Sequence, residues 1–171
     1  MAQRLRRLAR HQLCPLISGQ YFAFFGATDL LWRTRQRKEN PMLTKEFINP
    51  HAMGFTNTVT YSARGIKTII ISGQVGYADG RVGETFEEQA EIAHQNLVNE
   101  LKSAGAGPED VVKLNTYIVD LDSDRSKTNG RVKAKFFTHT NQPASTLVGV
   151  SALVMKPLLI EVEATAVIEH S

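Results

Sequence analysis

Residues 158–168, LLIEVEATAVI, constrain the fold of this chain more than any other stretch. Leu158, Ile160, Val162, Ala164, Ala166 and Ile168 recur at every second position, the period of an extended strand with one buried face. Glu161 and Glu163 then share the opposite face, about 7 Å apart. Like charges placed side by side are unfavourable unless something on that face uses them. The chain therefore needs a sheet with a core on one side and a chemically distinct surface on the other.

The preceding sequence supplies partners for that strand. FTNTVTYSA (55–63) alternates and is β-branched, KTIIISGQV (67–75) is strongly apolar, and Arg64-Gly65 between them reads as a hairpin turn. GYADGRVG is a glycine-spaced loop. TFEEQAEIAHQNLVNELKSAG opens with the capping-box pair Thr85 and Glu88. Its residues Phe86, Ala90, Ala93, Leu97 and Leu101 form one apolar helical stripe. Gly105 ends this helix, Pro108 prevents its continuation, and His94 falls on its exposed side as a solvated side chain. DVVKLNTYIVDL (110–121) is a third strand, followed by a second helix weakened by Gly130. ASTLVGVSALV (144–154) and 158–168 close the chain as two strands, read as antiparallel about 155–157.

The order β-β-α-β-α-β-β implies an α+β fold, a two-layer sandwich with a mixed β-sheet covered by two helices. Two helices cover only one sheet face, and several strands are apolar on both sides. The uncovered face points to a homo-oligomer.

Charge divides the chain into two parts. Residues 1–41 hold eight Lys and Arg against Asp29 and Glu39, a balance of +6. The other 130 residues hold 12 basic and 15 acidic side chains, so the body is mildly acidic and nucleic-acid binding is disfavoured. The basic stretch 1–41 is expected to be an N-terminal extension outside the fold, with the domain spanning 42–171. Three readings of it stay open: an organelle presequence, a disordered arm, or an extension ahead of a start at Met42. Its apolar part, SGQYFAFFGATDLLW, is too short and interrupted to span a bilayer. The single cysteine, Cys14, excludes an intrachain disulfide and suits a reducing compartment. The expected location is cytoplasmic, with organelle targeting as the alternative.

Most catalytic motifs are absent. The glycines of SGQVGYADGRVGE are not followed by GK[ST], and no GxSxG occurs. DSDRSKTNG approaches a calcium loop, but Lys127 stands at the obligatory glycine and Lys133 at the bidentate glutamate. His11, His51, His94, His139 and His170 have no metal-ligand spacing. No metal or cofactor is expected, so chemistry must come from hydroxyls, backbone amides, carboxylates and water. SGQVG (72–76), PASTL (143–147), Asn115 to Tyr117 and the two glutamates are the candidate segments.

In that order and spacing, SGQVG, DVVKLNTYIVDL, PASTLVGVSALV and LLIEVEATAV resemble the RidA (YjgF-type) reactive-intermediate deaminase family, over roughly residues 48–168. The resemblance implies a chorismate-mutase-like subunit assembled as a trimer, with small-molecule clefts at the subunit interfaces. It implies cofactor-free hydrolysis of enamines and imines to a 2-oxo acid and ammonia. By similarity, Ser72 and Gly73 form part of the cleft wall, and Glu163 matches the carboxylate that holds the attacking water. Phe55 falls where the family often has tyrosine. Asn129 matches a cleft asparagine if one residue is gapped before Phe136; otherwise Gly130 takes that place. Ser145, Thr146 and Leu147 complete the ligand-binding set.

One departure weighs against the family activity. Members active on imino acids carry arginine directly after Pro-Ala, where this chain has Ser145. A hydroxyl cannot replace a bidentate guanidinium–carboxylate pair. At about 1.5–3 kcal/mol per charged hydrogen bond, the loss weakens carboxylate binding by about tenfold to hundredfold. The substrate lacks a carboxylate there, or a basic group arrives from elsewhere, or the cleft binds ligands without chemistry.

Overall fold

The computed structural model describes residues 43–138 and 142–169, and the N-terminal extension expected over 1–41 lies outside them. Among the described residues eight strands form: β1 (Thr44–His51), β2 (Phe55–Ala63), β3 (Ile66–Val75), β4 (Tyr77–Ala78), β5 (Arg81–Val82), β6 (Val111–Val119), β7 (Ala144–Val150) and β8 (Ile160–Glu169). The helices are α1 (Phe86–Ser103) and α2 (Ser123–Phe136), with a 3-10 turn at Pro108–Asp110. β4 and β5 form a small separate hairpin, and the other six strands form one sheet in the order β1-β2-β3-β8-β6-β7. The mixed α+β two-layer architecture is the expected one.

Local chemistry accounts for the elements. Arg64 and Gly65 both take positive φ, 54° and 76°, the geometry of a two-residue hairpin turn between β2 and β3. Thr85 caps α1 by accepting the Glu88 amide at 3.1 Å, while the Glu88 carboxylate takes the Glu84 amide at 2.7 Å. Asp122 caps α2 from the Arg125 amide at 2.8 Å, and the Arg125 guanidinium lies 5.6 Å over the Phe86 ring. Ala90, Ala93, Leu97 and Leu101 of α1 are fully buried against Ile69, Leu114, Ile160, Val162 and Ala166 of the sheet. At about 25 cal/mol per Å² of apolar surface removed from water, this interface is the main source of stability.

Two buried polar side chains clamp the layers together. Glu100 of α1 receives Asn49 at 3.0 Å, Asn57 at 3.1 Å and Thr58 at 2.9 Å, tying the helix to β1 and β2. Gln89 donates to the carbonyls of Gly83 (3.0 Å) and Pro157 (3.2 Å) and accepts the Leu159 amide at 2.8 Å. It thus joins α1 to the β5 exit and to the loop entering β8. A Cβ at Gly76 would overlap the Gln89 side chain, so only glycine lets that backbone close on the helix.

The structure corrects three expectations. β1 was not anticipated; its polar sequence TKEFINPH suits an edge strand exposed along nearly its whole length. β7 and β8 do not pair. β8 runs antiparallel between β3 and β6, while β7 lies parallel to β6 at the edge. The reason is connectivity: α2 carries the chain back after β6, so β7 enters in the same direction, and the fully apolar face of β8 takes the central place.

His94 is also not solvated. Its ring is fully buried, 5.7 Å from Phe136 and 6.4 Å from Phe137, with Nδ1 2.9 Å from the Ala90 carbonyl and Nε2 without a partner. The packing of α2 on α1 covers the face that a lone helix would expose. Burial holds the imidazole below the ordinary histidine value, and the Lys133 charge adds to this.

A depressed folded value means that the neutral ring stabilises the fold. That contribution is complete above about pH 6.5 and is lost as pH falls from there through the folded value. Urea unfolding across pH 7 to 4 is therefore expected to show a declining limb, at most about 1.4 kcal/mol per pH unit for one proton. His94→Leu should flatten this limb whatever its absolute stability, and an unchanged limb would refute the assignment.

Candidate functional site

β8 presents its apolar face to the helices and its carboxylates to the other side. Ile160, Val162, Ala164 and Ala166 are buried under α1, and Glu161, Glu163, Thr165 and Val167 alternate with them on the uncovered face. The neighbouring strands continue that face. Cross-strand pairing sets Tyr117 beside Glu161, Asn115 beside Glu163 and Lys113 beside Thr165 on β6, then Thr146 beside Asn115 on β7. Toward β3, Ile70 stands beside Thr165 and Val59 beside Ile70.

The two glutamates differ in their surroundings. Glu163 Oε1 accepts the Asn115 amide at 2.8 Å and the Tyr117 phenol at 2.9 Å, so one oxygen is pinned by two donors from β6. The hydrogen bond to Glu163, with burial and the two nearby carboxylates, pushes the Tyr117 phenol up. Glu161 receives no hydrogen bond from any described residue. Its carboxyl is raised above the usual carboxylate range, first by burial and then by the charge of Glu163.

Glu161 is also the carboxylate that meets the Ser72-Gly73 segment. β3 runs to Val75, as the strand reading of 67–75 has it, but through a bulge. Ile71 pairs with Ala164 and Gln74 with Val162, so Ser72 and Gly73 together oppose Glu163. The Glu161 side chain folds over Gly73, where a Cβ would overlap the carboxylate and sit 2.8 Å from Cγ. The Ser72 hydroxyl is committed to structure, donating to the Thr56 carbonyl of β2 at 2.8 Å. Phe55 lies one residue before Thr56 and stacks on His51 at 4.6 Å, at the same end of the sheet as the bulge.

The other candidates divide. Thr146 is on the glutamate face, where its Oγ1 accepts the Lys113 ammonium at 2.6 Å. Ser145 and Leu147 pair with Leu114 and Thr116, so they point to the helix side of the edge strand, where they remain exposed. Asn129 is buried beside Val132 on the inner face of α2, with Oδ1 unpartnered, and is away from the glutamates. One protomer therefore assembles Ser72, Gly73, Thr146, Glu161 and Glu163, and does not bring Asn129, Ser145 and Leu147 to them. Lys113 and the pinning roles of Asn115 and Tyr117 were missed by sequence reasoning. Their every-second spacing in KLNTY was visible, but not the register that sets them beside Glu163.

Among the described residues no cluster of His, Cys, Asp and Glu has metal-binding geometry, and no helix is long and apolar enough to cross a membrane. What the arrangement offers is a partly buried carboxylate without a hydrogen-bond donor, a fixed second carboxylate, a glycine backbone beneath the first, and a nearby ammonium. That set suits proton transfer to and from a small polar molecule.

A mixed six-stranded sheet, backed by two helices and carrying a carboxylate pair on its open face, defines an α+β sandwich of the YjgF type. The chain belongs to the Endoribonuclease L-PSP family, the YjgF/RidA family, whose model matches residues 53–168. It is similar to Protein MMF1, mitochondrial, of Saccharomyces cerevisiae, with 32% identity over 97 residues, covering 56% of this chain and 63% of that one. A RutC family protein of Pyrococcus abyssi is 37% identical over 102 residues, 57% of this chain and 76% of its own. Among solved structures, RidA from the Antarctic bacterium Psychrobacter sp. PAMC 21119 superposes with a TM-score of 0.59 at 29% identity, covering 70% of this chain and 93% of that one.

The close approach at residue 73 gives a direct test of the geometry. Gly73→Ala should leave the fold intact, because the obstructing atoms are the movable end of Glu161, yet it should displace that carboxylate. The expected outcome is a melting temperature close to wild type with loss of whatever activity or ligand binding the face carries. A variant that keeps full function would show that Glu161 does not act from this position.

Proposed function

We propose that this chain is a cofactor-free hydrolase of small enamines or imines, acting as a homotrimer, with Glu161 as the proton-transfer group. The observation that carries the reading is the Glu161 carboxylate, free of donors, partly buried and folded over the Gly73 backbone. Glu163 was the sequence-based choice for this role, but both donors pinning it leave Glu161 as the freer acceptor. In the proposed step Glu161 takes a proton from water as the oxygen adds to the C=N carbon. It returns that proton to nitrogen, giving a carbinolamine; it then takes the hydroxyl proton and passes it to the amine nitrogen, so that the C–N bond breaks, ammonia leaves and the carbon becomes a carbonyl. A carboxyl raised above the usual carboxylate range is suited to both halves of this exchange.

Assembly follows from exposure. Phe47 (65%), Tyr61 (41%), Ile70 (46%) and Val167 (37%) leave an apolar surface around the glutamates that another copy would cover. A neighbouring copy would also offer its edge-strand Ser145 and Leu147, which the first protomer points away from its own glutamates. Ser145 supplies no positive charge. On β6 to β8 the cation facing the carboxylates is Lys113, whose ammonium leans along the sheet to the Asn115–Thr146 row. In this reading Lys113 receives a substrate carboxylate. Two carboxylates against one ammonium make the same face unfavourable for a phosphate backbone, which disfavours the RNA cleavage that the family's name suggests.

Ammonia release from freshly generated 2-iminobutanoate or 2-aminoacrylate tests the chemistry. The wild type is expected to exceed the buffer rate, Glu161→Gln to fall to it, and Lys113→Met to raise KM more than it lowers kcat. No rate above buffer for the wild type would leave a non-catalytic binder as the better account.

The location is proposed to be mitochondrial, by similarity to the yeast mitochondrial protein MMF1 and on the arginine-rich, acid-free MAQRLRRLARHQ. Residues 1–41 fused to a fluorescent reporter should direct it to mitochondria. A reporter that stays cytosolic removes this reading and leaves the catalytic one untouched.

A further inference from the structure

Glu163 is tied down while Glu161 is not, although both project from one strand onto one face. The pinned oxygen is held 2.8 Å from Asn115 Nδ2 and 2.9 Å from Tyr117 Oη, both from β6. β6 is itself locked into the sheet by β8 on one side and β7 on the other. Tyr117 is the direct cross-strand neighbour of Glu161, so its phenol reaches diagonally from the Glu161 row to the Glu163 row. The carboxylate of Glu163 therefore cannot swing away from its neighbour without breaking two hydrogen bonds. Two like charges that could separate cheaply at a sheet surface are held together here.

We propose that Glu163 is a positioning residue: pinned by Tyr117 and Asn115, it fixes a negative charge beside Glu161 and so sets the pH at which Glu161 exchanges its proton. The inference rests on the reading of Glu161 as the proton-transfer group, but its test does not need a substrate. The groups facing Glu161 are few. From β8 there is Glu163; from β6 there is the Tyr117 phenol, with Lys113 two rows along the strand; from β3 the Ser72-Gly73 bulge carries no charge. Glu163 is the anion within reach. Its effect has the same sign as that of burial, which is the larger cause holding the Glu161 carboxyl high. Lys113 opposes it from farther off, where its ammonium is engaged with Thr146.

The device separates two functions that one carboxylate cannot combine. A group that must give and take a proton has to be free of strong donors, because donors to its charged form would hold the proton off. A group that supplies constant field has to be immobile. Dividing these between positions 161 and 163 needs only the two-residue strand period and two donors on the adjacent strand.

The test is a carboxylate titration by NMR of the ligand-free protein carrying ¹³C at the glutamate side chains. In Glu163→Gln, which keeps an oxygen for Tyr117 and Asn115, the Glu161 midpoint is expected to move to lower pH. In Glu169→Gln, the far end of the same strand, it is expected to stay where it is. Raising salt in the wild type should lower the Glu161 midpoint as the neighbouring charge is screened, which gives a second measurement free of any folding defect. A Glu161 midpoint that moves neither with Glu163→Gln nor with salt would overturn the proposal. So would an equal movement in Glu169→Gln. If the midpoint moves as expected but no imine is hydrolysed, the catalytic reading falls and the charge pairing stands. If imine is hydrolysed while the midpoint is fixed, the reverse holds.

Discussion

The burial of one face of β8 governs the rest of this molecule. Ile160, Val162, Ala164 and Ala166 can leave water together only if β8 lies inside the sheet beneath α1. Inside the sheet, β8 has backbone partners on both sides and its whole inner face is covered. Once β8 is central, its period of two leaves no choice for Glu161 and Glu163: they face outward between β3 and β6. The carboxylate pair is thus a by-product of the same alternation that builds the core. Its chemistry depends on what β3 and β6 bring alongside.

Those two strands bring different things. β6 delivers side-chain donors at every second position, and they converge on Glu163. β3 delivers backbone, because its bulge places Gly73 where a side chain would otherwise stand. The asymmetry of the two glutamates is therefore an asymmetry of their neighbours. A one-residue slip of β6 would turn Asn115 and Tyr117 to the helix side and leave Glu163 without its donors. Gln89 and Glu100, each hydrogen-bonded to several elements, fix α1 to the loop entering β8 and to β1 and β2.

Much of this was legible in the sequence, for identifiable reasons. The capped helix 86–103, the Arg64-Gly65 hairpin and the strand character of 158–168 each follow from local chemistry, and each is present. The ordered motifs carried the family and the architecture. What was not legible depends on partners distant in sequence. His94 looks exposed on a helical wheel because the wheel does not know that α2 will lie on that side. β7 and β8 look like a hairpin because they are adjacent in sequence, while the crossover through α2 makes β7 parallel to β6. The glutamate roles depend on a bulge of two residues. Gly73 inside an apolar strand was the available signal, since glycine in a strand interior marks a bulge or a close approach.

The open face combines charge and apolar surface, which bears on the proposed assembly. Charged groups at its centre and exposed aromatic and β-branched residues around them are a poor combination for a free surface. Leaving the apolar rim in water forgoes the burial that would stabilise it, and covering it desolvates the glutamates. A second copy can resolve both needs only if it covers the rim and leaves a small wet gap over positions 161 and 163. Such a gap would be narrow, polar at its floor and apolar at its walls. In it a carboxylate free of donors would feel its neighbour's charge more strongly than it does at an open surface, because less water lies between and around them. Assembly and proton chemistry would then be linked through one quantity, the dielectric surroundings of Glu161. In the proposed assembly, the exposed apolar rim of the single chain and the carboxylate at its centre would be covered by the same contact.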